Sequence, residues 1–188
     1  SKRCLRSIIF FIHVGSYFSI VTCRNSESEI EKAINSLLIQ TIKPRYIIVV
    51  DDGSTDNTPN ILSRLNSKND NMYVITNPDL GYDIGRVVKN WNSAINLARD
   101  FKLEKTDYHM ISTDDTQYEE FYAEKIMQKM DEDKIIAISS GNYDSNSYAT
   151  PHGAGRFVRN SFFNNVLGYY PEKMGYESAV LYEADRCG

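Results

Sequence analysis

Two apolar runs in this chain end in paired acids. Tyr46–Val50 leads into Asp51-Asp52-Gly53-Ser54-Thr55-Asp56, and Tyr108–Ser112 leads into Thr113-Asp114-Asp115-Thr116. A carboxylate at a strand end can accept hydrogen bonds from a base or a ribose, and Gly53 permits the tight turn that close approach requires. Neighbouring carboxylates are hard oxygen donors of the kind Mg²⁺ and Mn²⁺ prefer, and an ion held by them can bridge to a diphosphate. A third acid, Glu177 in Gly175-Tyr176-Glu177-Ser178, opens a helical pattern and could take the proton of a hydroxyl nucleophile. Plainer readings compete. The first motif also suits an Asp-Gly turn capped by Asp56 or Thr58, the second a solvated acidic turn, and Glu177 an acid favoured by a helix N-terminus.

The elements that must hold these residues alternate along the chain. Strands are expected at Phe18–Thr22, Tyr46–Val50, Met72–Thr76, Tyr108–Ser112 and Ile135–Ser139. Helices are expected from Ser28 to Leu38, with Ile30, Ala33, Ile34, Leu37 and Leu38 at helical spacing, and at Thr58–Leu65, Val87–Leu103, Glu119–Met130, Ser161–Leu167 and Ser178–Asp185. Short strands alternating with helices imply an α/β fold, with a mostly parallel sheet covered on both faces. Ligands in such sheets sit at the carboxyl ends of strands, so both acid pairs should face one crevice. Residues 141–155, rich in Asn, Ser, Tyr and Gly, read as one long loop, and residues 1–17 as an N-terminal arm or extra strand. No repeat or linker divides the 188 residues, which are read as a single domain.

Bulk composition narrows the chemistry. A net charge of −4 argues against a nucleic-acid binder, which needs a basic face. It suits an enzyme that borrows positive charge from a metal. Three widely spaced cysteines without a CxxC pair argue against a disulfide framework or zinc site, and with no Asn-x-Ser/Thr sequon they favour a reducing, cytoplasmic setting. The apolar run Ile8–Ile12 follows Lys2, Arg3 and Arg6 but is far too short for a membrane span, so no transmembrane segment is expected, and peripheral membrane contact stays open. The sequence starts without Met and stops at Gly188 directly after a helical pattern, as a processed or truncated chain would.

Taken together these segments resemble the family 2 glycosyltransferases of the GT-A fold, over about Phe18 to Gly188. Ile47 to Thr58 (IIVVDDGSTDNT) carries the most specific likeness. Around it, Phe18–Asn25 is similar to the family's first strand and base loop, and Ala33, Ser36, Leu37, Gln40 and Thr41 to the helix that follows. Gly85-Arg86 with Asn90-Trp91-Asn92 is similar to the helix before the metal motif. Ser112–Asp115 stands at the DxD-type motif, and Arg159–Glu172 (RNSFFNNVLGYYPE) resembles the segment before the catalytic acid. Thr113 stands where a typical motif has Asp, and Tyr176-Glu177 where relatives often carry Glu-Asp.

The resemblance implies roles residue by residue. Thr22, Arg24, Asp51 and Asp52 would lie at the nucleotide, Asp52 being suited to uracil, so that UDP is favoured over GDP. Arg86 would reach the base or diphosphate. Asp114 would contact the ribose and, with Asp115, the metal, Mn²⁺ or Mg²⁺. Glu177 would be the base in a single displacement with inversion from a nucleotide-diphospho-sugar donor to an acceptor hydroxyl. The loop 141–155 would meet donor sugar and acceptor. The alternative is a catalytically weak or inactive GT-A nucleotide-sugar-binding module. A haloacid dehalogenase-type phosphatase needs acids two apart, and Gly53 stands in that place. No P-loop occurs either. His152 and Trp91 are expected as an exposed loop residue and a core residue.

Overall fold

The computed structural model describes residues 15–102, 105–142, 151–172 and 175–187. The expected N-terminal arm lies almost entirely outside them, as do residues 143–150 of the expected loop with Tyr143 and Tyr148. Strand β1 (Tyr17–Cys23) is followed by α1 (Ile30–Leu38), β2 (Ile47–Asp51), α2 (Thr58–Asn66), β3 (Met72–Thr76), α3 (Arg86–Asp100), β4 (Tyr108–Thr113), α4 (Tyr122–Glu132), β5 (Ile138–Ser139) and β6 (Arg156–Arg159). A short helix α5 (Asn160–Phe162) runs into a π-helical turn, Phe163–Leu167, and α6 (Tyr176–Cys187) completes the described chain.

The strands form one sheet in the order β3-β2-β1-β4-β6-β5. The first four are parallel, and β6 runs antiparallel to both β4 and β5. Period-two alternation sorts the strand side chains into two cores. Tyr17, Val21 and Cys23 of β1, Ile47 and Val49 of β2, and Tyr108 and Met110 of β4 face the side covered by α1, α2 and α4. Phe18 and Ile20, Ile48 and Val50, and Ile111 face the side covered by α3 and α6. Parallel strands buried on both faces explain why these segments read as continuous apolar runs. At nine residues α1 is too short to persist alone, so packing holds it: Ile30, Ala33, Ile34 and Leu37 are all buried. Trp91 is core as expected, its ring edge-on to Tyr170 and Tyr176.

Several bounds differ from expectation. Strand β6 was not expected: four residues bracketed by two arginines give no strand pattern, and it forms because β4 and β5 offer open edges on both sides. Of the expected strand Ile135–Ser139 only Ile138 and Ser139 pair. The expected helix Ser161–Leu167 is the α5 and π-turn pair, and α4 begins at Tyr122 rather than Glu119. Among the described residues no helix is long and apolar enough to cross a membrane.

Candidate active site

The strand order reverses direction at β1, which sends the chain to β2 on one side and receives it back at β4 on the other. A crevice must open at the carboxyl ends there. The registers Cys23↔Asp51 and Thr22↔Thr113 bring the ends of β1, β2 and β4 level. A cleft of about 190 Å³ lies at this point. Thr22, Cys23, Arg24, Asp52, Asn90 and Asp114 form its polar wall, and Tyr82, Ile84 and Val87 its apolar lip.

Asp52 is buried and paired with Arg86 from the first turn of α3, Nε to Oδ1 at 3.1 Å and Nη2 to Oδ2 at 3.0 Å. Burial pushes the Asp52 carboxyl up. Hydrogen bonds from Arg86 and Asn90 and the Arg86 charge overcome that and hold it below the ordinary carboxylate range. It is therefore a fixed, charged acceptor at the cleft floor. Arg86 also donates to the Gly81 carbonyl, which ties the 77–85 loop to the same carboxylate. Arg24 donates to the Asp52 and Gly53 carbonyls and to Asp79 Oδ1 at 2.7 Å. The loop carrying Tyr82 and Ile84 is thus fastened to the β2 turn from two directions.

Asp51 is placed elsewhere. It is fully buried beneath the turn, where Oδ1 accepts from the Ser54 N–H at 2.9 Å and the Ser54 hydroxyl at 2.6 Å. Its carboxylate shapes the Asp52–Ser54 turn and does not line the cleft. Gly53 has φ +74°, and a Cβ there would sit 2.6 Å from Asp79 Cα and from the Pro78 carbonyl oxygen. Gly53→Ala is expected to cost about 1–3 kcal/mol from backbone strain, with displacement of the 78–79 backbone in addition. Denaturant midpoints measure this loss; an unchanged midpoint would remove the close approach from the account.

Asp114 is half-buried and accepts from the Ser26 hydroxyl. Burial raises its pKa despite that hydrogen bond, and the neighbouring Asp115 charge adds to the rise. Asp115 is exposed, with the Thr116 hydroxyl 3.4 Å from its Oδ1. Among the described residues no three His, Cys, Asp or Glu side chains converge on one point. The oxygen donors at this turn are the adjacent Asp114 and Asp115 carboxylates and the Thr113 and Thr116 hydroxyls, the two hydroxyls 2.7 Å apart. Donors of this chemistry suit Mg²⁺ or Mn²⁺, which are commonly held by one or two carboxylates while substrate phosphates and water complete the shell.

Glu177 does not line this cleft. It stands in the first turn of α6 and pairs with Arg156 of β6, on the other side of β4. Sequence reasoning missed Arg156, whose strand has no pattern of its own, and also Tyr82, Ile84 and Asp79. The turn signals Asn77-Pro78-Asp79 and Gly81 marked that loop, but nothing marked it as a cleft wall. His152 is half-buried rather than exposed, and its backbone N–H donates to Ser140 Oγ at 2.7 Å.

Comparison with known proteins agrees with this architecture. The chain is 23% identical over 186 residues to an uncharacterized glycosyltransferase of Mycoplasma pneumoniae, covering 87% of this chain and 59% of that protein. It is 24% identical over 141 residues to the chondroitin synthase of Pasteurella multocida, covering 75% of this chain and 13% of that one. The chain thus spans less than two thirds of the length of these relatives, 59% of the first and 13% of the second. Among solved structures, a mannosyltransferase from Pyrobaculum calidifontis in complex with GDP-Man and Mn²⁺ superposes with TM-score 0.72 at 17% identity, covering 94% of this chain and 52% of that chain. S. aureus TarS residues 1–349 in complex with UDP superposes with TM-score 0.65 at 20% identity, covering 90% and 54%. At such identities the superpositions establish the fold, which is the GT-A arrangement of a mostly parallel sheet between helices. The model of the glycosyl transferase family 2 matches residues 19–184, and the chain belongs to that family.

Proposed function

We propose that this chain transfers a sugar from a nucleotide-diphospho-sugar, UDP-linked in preference to GDP-linked, to an acceptor hydroxyl by single displacement with inversion. The observation that carries the reading is the convergence of Thr22, Arg24, Asp52 and Asp114 on one cleft at the switch point of the sheet. The charged Asp52 would accept from a uracil N–H, with Arg86 holding the carboxylate in place. Tyr82 and Ile84, large apolar side chains left 79% and 65% exposed at the lip, would be covered by the base. Asp114 would meet the ribose. Asp114 and Asp115 would hold Mn²⁺ or Mg²⁺, which when bound neutralises charge on the departing diphosphate. Glu177 would accept the acceptor's proton while its oxygen bonds to the anomeric carbon and the nucleoside diphosphate leaves with the electrons of the broken bond. The complexes of related folds with UDP, UDP-GlcNAc and GDP-Man with Mn²⁺ support a donor of this class.

Calorimetric titration of UDP and GDP, each with and without Mn²⁺, tests the reading. UDP is expected to bind the wild type at least about tenfold more tightly with Mn²⁺, a difference of roughly 1.4 kcal/mol, and Asp115→Ala to lose that gain. No binding of either nucleotide in the presence of metal would remove the proposal.

A further inference from the structure

Arg156 is the bulkiest of the fully buried side chains, at 2% exposure. A guanidinium withdrawn this far from water is costly unless its charge and N–H groups are met. Here they are met by the candidate base and its surroundings. Nη2 lies 3.2 Å from Glu177 Oε1 and 3.4 Å from the Pro151 carbonyl oxygen, and Nε donates to the His152 carbonyl at 3.1 Å. Gly153 closes the niche, since a Cβ there would fall 3.1 Å from the same Oε1. The strand beneath is fixed as well: Arg156 pairs in register with Ile111 of β4, the strand that leads into Asp114-Asp115. One buried cation thereby links Glu177 to the strand that leads into the acid pair.

We propose that Arg156 is a positioning residue for proton transfer: it grips Glu177 by Oε1 and leaves Oε2 to take the acceptor's proton. This rests on the reading of Glu177 as the base. As the acceptor oxygen bonds to the anomeric carbon, its proton passes to Oε2, and the nucleoside diphosphate departs with the bonding pair. A purely structural ion pair would show in stability alone; a positioning contact shows in kcat, because misplacing a reacting group by about 1 Å can cost about 10²-fold.

The test uses release of UDP or GDP from UDP-N-acetylglucosamine and GDP-mannose with water as acceptor. The variants are Arg156→Gln, Arg156→Lys, Glu177→Gln and the Arg156→Gln/Glu177→Gln double, each checked by thermal melting. Arg156→Gln is expected to lower kcat about 10–100-fold with the donor KM within about twofold. Lys, which keeps the charge but not the fork, should recover part of that. The double variant should be no slower than Glu177→Gln, because both changes disable one group. If Arg156→Gln does not fold, Gly153→Ala serves, since it crowds Oε1 with Arg156 intact and should lower kcat at unchanged melting temperature. Normal kcat in Arg156→Gln or Gly153→Ala beside a slow Glu177→Gln overturns this inference alone, as does the full Arg156→Gln penalty persisting in the double. Normal kcat in Glu177→Gln overturns the base itself, and a wild type that releases neither nucleotide overturns the transferase reading, this inference falling in both cases.

Discussion

Glu177→Gln is expected to lower turnover by about 10²–10⁴-fold, the range that a positioned acid–base group supplies. The substitution isolates the proton acceptor. Gln matches Glu in size, and its amide oxygen can still accept from Arg156 Nη2, now 3.2 Å from Oε1. The fold and the niche are thereby kept while the carboxylate is lost. Glu177 lies across β4 from the cleft, so nucleotide affinity is expected to stay at the wild-type value. A kcat loss with unchanged UDP binding, read by steady-state kinetics beside calorimetry, is the signature of a group that acts in the transition state alone. Near-normal turnover would sink the assignment.

What could be read from the sequence follows the range of the interactions involved. Strands β1, β2 and β4 carry their own signal, because a strand buried on both faces is largely apolar, and the acids that close β2 and follow β4 stand out against those runs. Ile47–Asp51 stops being apolar at Asp51, which is still buried but turns its carboxylate to the Ser54 N–H and hydroxyl. That Asp52 and Asp114 share a crevice was legible in the two acid-ended strands, whereas Thr22 and Arg24 were placed there by the family resemblance. Asp51 shows the limit. Adjacent acids on a strand point to opposite faces, so only one of Asp51 and Asp52 can meet the cleft, and which one depends on the turn that Ser54 and Gly53 make. Arg86 was placed at the nucleotide, and its role as the partner that keeps Asp52 charged is a tertiary contact between α3 and β2. Strand β6 was illegible for a related reason. An arginine at a strand start reads as exposed, and only the meeting of β6 with α6 makes Arg156 a core residue.

A second contact that no local pattern announces carries the other large expectation, a loss of stability in mild acid. His109 of β4 is fully buried among Phe18, Phe163 and Tyr170. Its Nδ1 is 2.6 Å from Asn160 Oδ1 and its Nε2 2.7 Å from Tyr170 Oη. Asn160 spends its N–H groups on the Thr106 carbonyl and hydroxyl, so Oδ1 accepts, Nδ1 carries the proton, and Nε2 accepts from the Tyr170 hydroxyl. Tyr170 is clamped in turn by Asn92 of α3 through both its backbone N–H and carbonyl, each at 2.9 Å. The imidazole therefore joins β4, α5 and α3 in its neutral form, and burial, opposed only in part by the Asn160 hydrogen bond, holds its pKa down at about 4. In the unfolded chain a histidine titrates near 6.5, so between about 6.5 and 4 the unfolded state binds the extra proton. The stabilisation is complete above that window, falls as pH falls through it, and levels off below about 4 with about 3 kcal/mol lost. Carboxylates held by ion pairs also lose stability toward low pH, so the wild type alone does not isolate the histidine. His109→Gln supplies the comparison: whatever its stability at pH 7, its denaturant-derived free energy should fall less steeply from pH 6.5 to 4.5 than that of the wild type. Equal slopes would show that His109 takes up its proton in the folded state, and the clamp between α3 and β4 would then have to tolerate a buried imidazolium.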